Sequence, residues 1–219
     1  MIKQNVKKST VVIPNYNGIS YIENCLDSLL KEVWDFDVIV VDNHSIDKSK
    51  EVVLENYPFV KVIPFEENTG FCKAVNAGIQ AATTEYVILL NNDTTVEKGF
   101  VKALEDAMER HPKAFSVGAK MVDMKNPEIL DDGGDFYCAL GWAFAGGKGK
   151  DSAKYNKERE VFSACAGAAI YRKNILDKIG LFDEMHFAYL EDLDIGYRAK
   201  IHGYKNYFTP DAIVHHAGS

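Results

Sequence analysis

Four short runs of apolar residues punctuate the first half of the chain, at residues 10–13, 38–41, 60–65 and 86–90. Each is too short for a helix, and each leads into a polar cluster, so each reads as a strand buried on both faces. Between them the apolar spacing changes to three and four. Ser20-Tyr21-Ile22-Glu23 has the form of a capping box and opens a helix with Ile22, Cys25, Leu26, Leu29 and Leu30 on one face. A shorter helix after the second run turns Val52 and Val53 inward. Residues 71–82 place Ala74, Ala77, Gly78, Ala81 and Ala82 in a helix able to lie close to a sheet or a ligand. Residues 97–110 predict an amphipathic helix with Phe100, Val101, Leu104 and Met108 inward. Such alternation implies right-handed βαβ units and a mainly parallel sheet with helices on both faces, the α/β class.

The pattern changes after Phe115. Strand-like pieces at 115–122, 161–171 and 204–209 are separated by an irregular stretch, 131–158, that holds Gly133, Gly134, Gly141, Gly146, Gly147 and Gly149. A loop of that length in a compact domain is a functional lid or a disordered segment. No internal repeat or low-complexity tract breaks the chain. The reading is one domain over 1–219 in two parts, a nucleotide-binding front at 1–110 and a more mixed back half at 111–219. Because the chain stops just after His215-His216-Ala217-Gly218, it reads as the front part of a longer protein, cut short at its C-terminus.

Composition narrows the function classes. Hydrophobic residues make up 47% and charged residues 26% of the 219, ordinary for a globular protein. Net charge is −7, from 25 basic and 32 acidic residues, which argues against a nucleic-acid partner. An anionic small ligand stays open, because a metal can supply local positive charge. Cys25, Cys72, Cys138 and Cys165 form no C-x-x-C pair and read as free thiols in a reducing cytoplasm. The polar, basic start of the chain is followed by an apolar run too short for a signal-peptide core. Nor does any stretch approach the roughly 18 apolar residues of a membrane span.

The polar clusters that end the first four runs carry the chemistry. They are Pro14-Asn15-Tyr16-Asn17-Gly18, then Asp42-Asn43-His44-Ser45 with Asp47, then Asn68-Thr69-Gly70-Phe71, then Asn91-Asn92-Asp93. In a parallel sheet these ends meet along one edge, where open α/β sheets bind ligands. Any one cluster is readily explained as turn chemistry, with Thr95 capping the next helix. A purely structural sheet has no need of all four. Tyr16 can cover a base, and Asp42 can accept from base or ribose donors. The helix start at Gly70 and a metal on Asp93 can hold phosphates, so the set suits a nucleoside diphosphate. One carboxylate among amides suits Mg²⁺ or Mn²⁺ completed by phosphate oxygens and water. Neither G-x-G-x-x-G nor a P-loop occurs.

A second cluster runs from Phe182-Asp183-Glu184 to Glu191-Asp192-Leu193-Asp194 and Arg198. Neighbours on a helix point about 100° apart. Glu191 and Asp192 therefore cannot aim at one atom as a matched pair; one faces the crevice while the other pairs or caps. Asp194 and Arg198 are spaced for a supporting salt bridge. The plain alternative is an acidic helix N-terminus favoured by the dipole.

Taken in order, these residues resemble the inverting family 2 glycosyltransferases of the GT-A fold, particularly their rhamnosyltransferase-like bacterial branch. The likeness rests on Val11-Val12-Ile13-Pro14-Asn15-Tyr16-Asn17, on Val40-Val41-Asp42-Asn43-His44-Ser45-Ile46-Asp47, on Asn68-Thr69-Gly70-Phe71 with Asn76 and Gly78, on Asn91-Asn92-Asp93, on Ala166-Gly167-Ala168 and on the cluster from Phe182 to Asp194. It covers nearly the whole chain. It implies a Rossmann-like, mostly parallel but mixed central sheet flanked by helices on both faces. It implies metal-dependent transfer, with Mn²⁺ or Mg²⁺, from a nucleoside-diphosphate sugar to a carbohydrate or lipid-linked glycan acceptor. Cell-surface polysaccharide assembly follows, in the cytoplasm at the inner face of the membrane, with peripheral membrane association. Residue by residue, it implies that Pro14, Tyr16 and Asp42 hold the nucleoside, that Asn68 and Gly70 shape the diphosphate side, and that Asn17, Asn76, Asn92, Glu191 and Arg198 complete donor binding. Gly167 lines the sugar pocket, Asp192 is the general base, Asp93 is the metal carboxylate, and His215, beside His216, is the late histidine that reaches the metal. Asn91 departs from the family, where many members have Asp, which removes one anionic ligand.

Three other functions were weighed. A sugar nucleotidyltransferase needs a basic, Gly-rich loop after the first strand, and Asn15-Tyr16-Asn17-Gly18 is not one. A catalytically silent nucleotide-sugar-binding module is compatible with Asn91 but leaves Asp93, Glu191 and Asp192 without a use. A glycosidase leaves the strand-end cluster unexplained. His111, His186 and His202 carry no pattern, His44 suits a turn, and Trp34 and Trp142 read as core or loop anchors, with Trp142 able to contact a sugar face.

Overall fold

The computed structural model of the chain describes residues 7–218; the basic start at 1–6 and Ser219 lie outside the described residues. In chain order the elements are β1 (Ser9–Asn15), α1 (Ile22–Leu30), β2 (Asp37–Asp42), α2 (Ser49–Asn56), β3 (Lys61–Pro64), α3 (Gly70–Ala81), β4 (Tyr86–Leu90), β5 (Thr94–Val96), α4 (Phe100–Arg110), β6 (Ala114–Asp123), β7 (Leu130–Asp132), β8 (Asp135–Tyr137), β9 (Ala143–Ala145), β10 (Arg159–Val161), β11 (Ala168–Arg172), α5 (Lys173–Ile179), α6 (Glu191–Ile201) and β12 (Lys205–His216). The main sheet runs β10-β12-β6-β11-β4-β1-β2-β3, with β5 on β12 and β7 on β6. Strands β3, β2, β1 and β4 are parallel, as the front-half alternation predicts. Beyond them β11 runs antiparallel to both β4 and β6, and β12 is parallel to β6, so the sheet is mixed.

Successive residues of a strand point to opposite faces, and β1, β2 and β4 are apolar because both faces are covered; β3, at the edge of the sheet, has no fully buried residue, which corrects the expectation for the third run. Val11, Ile13, Val38, Val40, Ile88 and Leu90 pack with Ile22, Leu26, Phe100 and Leu104 on one face. Val12, Ile39, Val41, Val87 and Leu89 pack with Val75, Ile79, Leu176 and Ile195 on the other. Helix α3 comes close because it carries Gly78: a Cβ there would lie 2.2 Å from Val12 Cγ1, far short of van der Waals contact.

Several local expectations are corrected. Tyr21, not Ser20, precedes α1, and no side chain caps it; the Gly18 carbonyl takes the Tyr21 and Ile22 N–H groups instead. Leu30, at the edge of the α1 stripe, is 55% exposed. Thr95 does not cap a helix, because residues 94–96 form β5. The start of α4 is instead held by Glu32, whose Oε1 accepts from Gly99 N at 2.8 Å and Phe100 N at 3.1 Å. The run 161–171 is two strands, broken where Gly167 enters the crevice. The stretch 131–158 is not structureless: β8 and β9 form a hairpin in which Phe136 and Phe144 stack at 5.8 Å. Finally, β12 runs on past Thr209 to His216, because β5 and β6 both pair with its far end.

Candidate active site

The ends of β1, β2 and β4 and the start of α3 surround a cavity of about 360 Å³ lined by Pro14, Tyr16, Asn17, Asn68, Gly70, Asn92 and Asp93. Side-chain amides fix its walls. Asn15 donates to Asp42 Oδ1 at 3.1 Å and Ser49 Oγ at 2.9 Å, while its own Oδ1 accepts from Asn92 at 2.8 Å. Asn43 donates to Asn68 Oδ1 at 2.9 Å, and that oxygen also accepts from Gly70 N at 3.0 Å. Gly70 sits at φ +84° and its N-terminal turn abuts Phe187, whose carbonyl accepts from Phe71 N at 2.8 Å. Tyr16 is half-exposed over this cavity.

A second cavity, about 480 Å³, shares Phe71 and Asn91 with the first, so the two form one crevice. Gly167, Glu191, Asp192, Asp131, Asp132, Asp135, Lys148 and His216 line it. The break before β11 brings Gly167 in, and its carbonyl accepts from Asn91 N at 2.9 Å. The first residues of α6 supply the acids, after Tyr189 and Leu190 at φ +71° and +67°, a backbone conformation that costs of order 1–3 kcal/mol per non-glycine residue. Both Glu191 and Asp192 line the cavity, which corrects the expectation that one turns away to pair or cap. Asp192 Oδ1 accepts from Leu193 N at 2.8 Å and Oδ2 from Ala166 N at 3.4 Å. Burial raises the Asp192 carboxyl above its usual range. Burial, then the Asp192 charge, raises Glu191 to about 7, and Glu191 Oε2 has no hydrogen-bond partner among the described residues. Burial raises Asp132 and Asp135 as well.

At the junction of the cavities, His216 Nε2 stands 3.3 Å from Asp93 Oδ2 and its Nδ1 2.7 Å from Asp131 Oδ2. Burial alone would lower the imidazole; the two carboxylates outweigh it and raise it to about 9, and the His216 bond holds Asp131 down to about 2. His215 is on the opposite face of β12 and meets Glu97 at 3.0 Å. Of the two, His216 and not His215 is therefore the histidine beside Asp93, because adjacent strand residues cannot share a face. Asp93 and His216 converge on the crevice as an oxygen and a nitrogen donor. No group of three or more His, Cys, Asp or Glu among the described residues could hold a metal by itself. Once His216 gives up its Nε2 proton, as a ligating imidazole must, such a two-donor pair fits a divalent ion that takes its other ligands from phosphate and water.

Other predicted donor residues have different positions. Arg198 does not line the crevice: it bonds Asp194 at 2.7 Å and the carbonyls of Ile179, Gly180 and Leu181, which ties α6 to the end of α5. Asn76 is buried, donating to the Phe182 carbonyl at 2.8 Å and accepting from Phe182 N at 3.1 Å. Asp42 is 1% exposed beneath the loop after β2, with Asn43 lining the cavity in its place. Sequence reading missed Asp131, Asp132, Asp135 and Lys148 as lining residues and named His216 only as the neighbour of His215. For the three acids the signal was a run of carboxylates at the start of a stretch read as loop; the short strands β7 and β8 that carry them have no periodicity to detect.

The sequence model described as glycosyl transferase family 2 matches residues 10–180. The N-acetylglucosaminyl-diphospho-decaprenol L-rhamnosyltransferase of Mycobacterium tuberculosis (strain ATCC 25618 / H37Rv) is 27% identical over 94% of this chain and 75% of its own length. The poly-β-1,6-N-acetyl-D-glucosamine synthase of Staphylococcus epidermidis is 22% identical over 96% of this chain and 50% of its own. Among solved structures, GalNAc-T7 with UDP, GalNAc and Mn²⁺ superposes with a TM-score of 0.79 at 19% identity, over 98% of this chain and 44% of that one. Residues 1–349 of S. aureus TarS with UDP-GlcNAc superpose at 0.70 with 23% identity, over 94% of this chain and 58% of that one. The fold is GT-A, and the chain spans about half the length of these solved structures.

Proposed function

Because the chain belongs to glycosyl transferase family 2 and is a glycosyltransferase, we propose that it moves a sugar from a nucleoside-diphosphate sugar to an acceptor hydroxyl by one inverting displacement. The observation that carries this reading is the single crevice with Asp93 in one arm and Asp192 in the other. The nucleoside lies in the smaller arm beside Tyr16, with Pro14, Asn17, Asn68, Gly70 and Asn92 around it. The sugar lies toward Gly167 and Glu191. An acceptor oxygen forms the new bond to the anomeric carbon and gives its proton to Asp192. The bond from that carbon to the diphosphate breaks, and the nucleoside diphosphate leaves with the electron pair. Burial makes Asp192 the stronger base, and the Leu193 and Ala166 N–H groups fix its direction. Mn²⁺ or Mg²⁺, held by Asp93 and His216, would supply Lewis-acid stabilisation of the leaving diphosphate, with the imidazole favouring Mn²⁺.

General-base help is worth about 10²–10⁴-fold in rate. Asp192→Asn is expected to lose transfer by that order while still binding donor in a calorimetric titration; parental transfer by the variant would remove Asp192 from the role. A silent binding module is separated by the release of free nucleoside diphosphate from a panel of sugar nucleotides with and without Mn²⁺. The acceptor is a carbohydrate or lipid-linked glycan of cell-surface assembly, a reading supported by the names of the mycobacterial and staphylococcal relatives. The proposed site of action is the cytoplasmic face of the membrane with peripheral attachment, a reading supported by the lipid-linked substrate in the name of the mycobacterial relative; among the described residues no helix is long and apolar enough to cross a membrane.

A further inference from the structure

On the other side of Leu193 from the acid pair lies a third cavity of about 640 Å³, within the 300–1,000 Å³ usual for ligand sites. It opens into the crevice through Ala143, Leu190 and Leu193, which line both. Its walls are aromatic. Tyr137 stacks on Phe162 at 5.0 Å and 25°, and Phe162 on Tyr197 at 6.1 Å and 16°. These near-parallel rings make a shelf, and Trp142, 72% exposed on the β8–β9 hairpin, stands beside it. Tyr137, Trp142 and Tyr197 are each half-exposed or more, so these rings leave apolar surface open on the groove.

Building on the transferase reading above, we propose that this groove is an acceptor subsite, and that its occupant is a sugar ring of an oligosaccharide, one position beyond the hydroxyl served by Asp192. Continuity with the crevice places the occupant: an acceptor that presents a hydroxyl at Asp192 must extend somewhere, and the groove begins one residue along α6. The chemistry of the walls selects a sugar over a lipid tail. Neither the Tyr137 nor the Tyr197 hydroxyl has a hydrogen-bond partner among the described residues, and Asp194 at the rim gives only Oδ2 to Arg198. A prenyl chain would cover these polar groups without bonding them, which is costly. A pyranose ring offers an apolar C–H face to the stacked rings and hydroxyls to the phenols and to Asp194 Oδ1. Tyr and Trp supply such rigid, amphipathic contact at low entropy cost.

The test uses the full chain on a glycan array of hexose, N-acetylhexosamine and deoxyhexose oligomers, with Trp142→Ala, Tyr197→Ala and Tyr197→Phe beside it. Circular-dichroism melting checks that each variant is folded. Binding of a subset of oligomers is expected. It should fall roughly tenfold or more in Trp142→Ala and Tyr197→Ala, the loss typical of truncating an aromatic anchor, and by less in Tyr197→Phe, which keeps the ring. No oligomer bound, or equal binding by folded variants, overturns the proposal. So does loss in these variants of binding to vesicles carrying polyprenyl phosphate in place of glycan binding. Donor hydrolysis by the unaltered protein is measured separately. Its absence alongside variant-sensitive glycan binding would sink the transferase reading and spare the groove; the reverse pattern would do the opposite.

Discussion

Glu191 and Asp192 are consecutive carboxylates in one cavity, and Glu191 Oε2 has no hydrogen-bond partner among the described residues. With its folded pKa near 7 against an ordinary 4.5, the native state binds the Glu191 proton more tightly than the unfolded chain does. Stability from this group is therefore full below about pH 4.5 and is lost as pH rises through 7. Glu191→Gln is expected to stabilise the protein relative to the parent at pH 8, on the order of 1–3 kcal/mol, with little gain at pH 4; urea midpoints at the two values check this. The two histidines at the end of β12 give a second test. His216→Ala is expected to weaken Mn²⁺-dependent donor binding by at least the roughly 10–100-fold that losing even an outer-shell partner costs. His215→Ala, facing Glu97, should leave it within error by calorimetry; the reverse result would return the metal to His215.

At the scale of elements, close approach of α3 to β1 governs the front half. Ala at position 78 would gain up to about 1 kcal/mol in helix propensity. Its methyl would collide with Val12, which is fully buried on a strand flanked by β2 and β4 and cannot move aside. Overpacking of this kind costs about 1–3 kcal/mol, so Gly78→Ala is expected to lower the denaturant midpoint, and Gly78→Ala with Val12→Ala to cost less than the sum of the single changes. The helix and strand periods that located α1, α3, α4, β1, β2 and β4 are legible because each element buries a regular set of positions. Residues 131–158 were not legible for the opposite reason. Their strands are three residues long, and Asp132 and Asp135 are buried acids where a pattern reader expects solvent.

Across the molecule, β4 pairs with β1 on one side and β11 on the other, which joins the two halves of the sequence in one sheet. The two apolar layers likewise draw on both halves, Val11 with Ile170 and Val12 with Leu176. Unfolding is accordingly expected to be one cooperative step, with far-UV and near-UV circular dichroism coincident in urea; two separated transitions would mean the halves fold apart. The sequence by itself determined the α/β class, the parallel front of the sheet, and the meeting of Tyr16, Asn68 and Asp93 at one edge, because strand and helix periods and strand-end chemistry are local. Tertiary structure alone decided that His216 and not His215 faces Asp93, that Arg198 braces α6 outside the crevice, and that Asp131, Lys148 and the aromatic groove border the acid pair. Those choices depend on how far β12 is extended by its neighbours and on where short, aperiodic strands pair, and both are set by long-range contacts that leave no repeat in the chain.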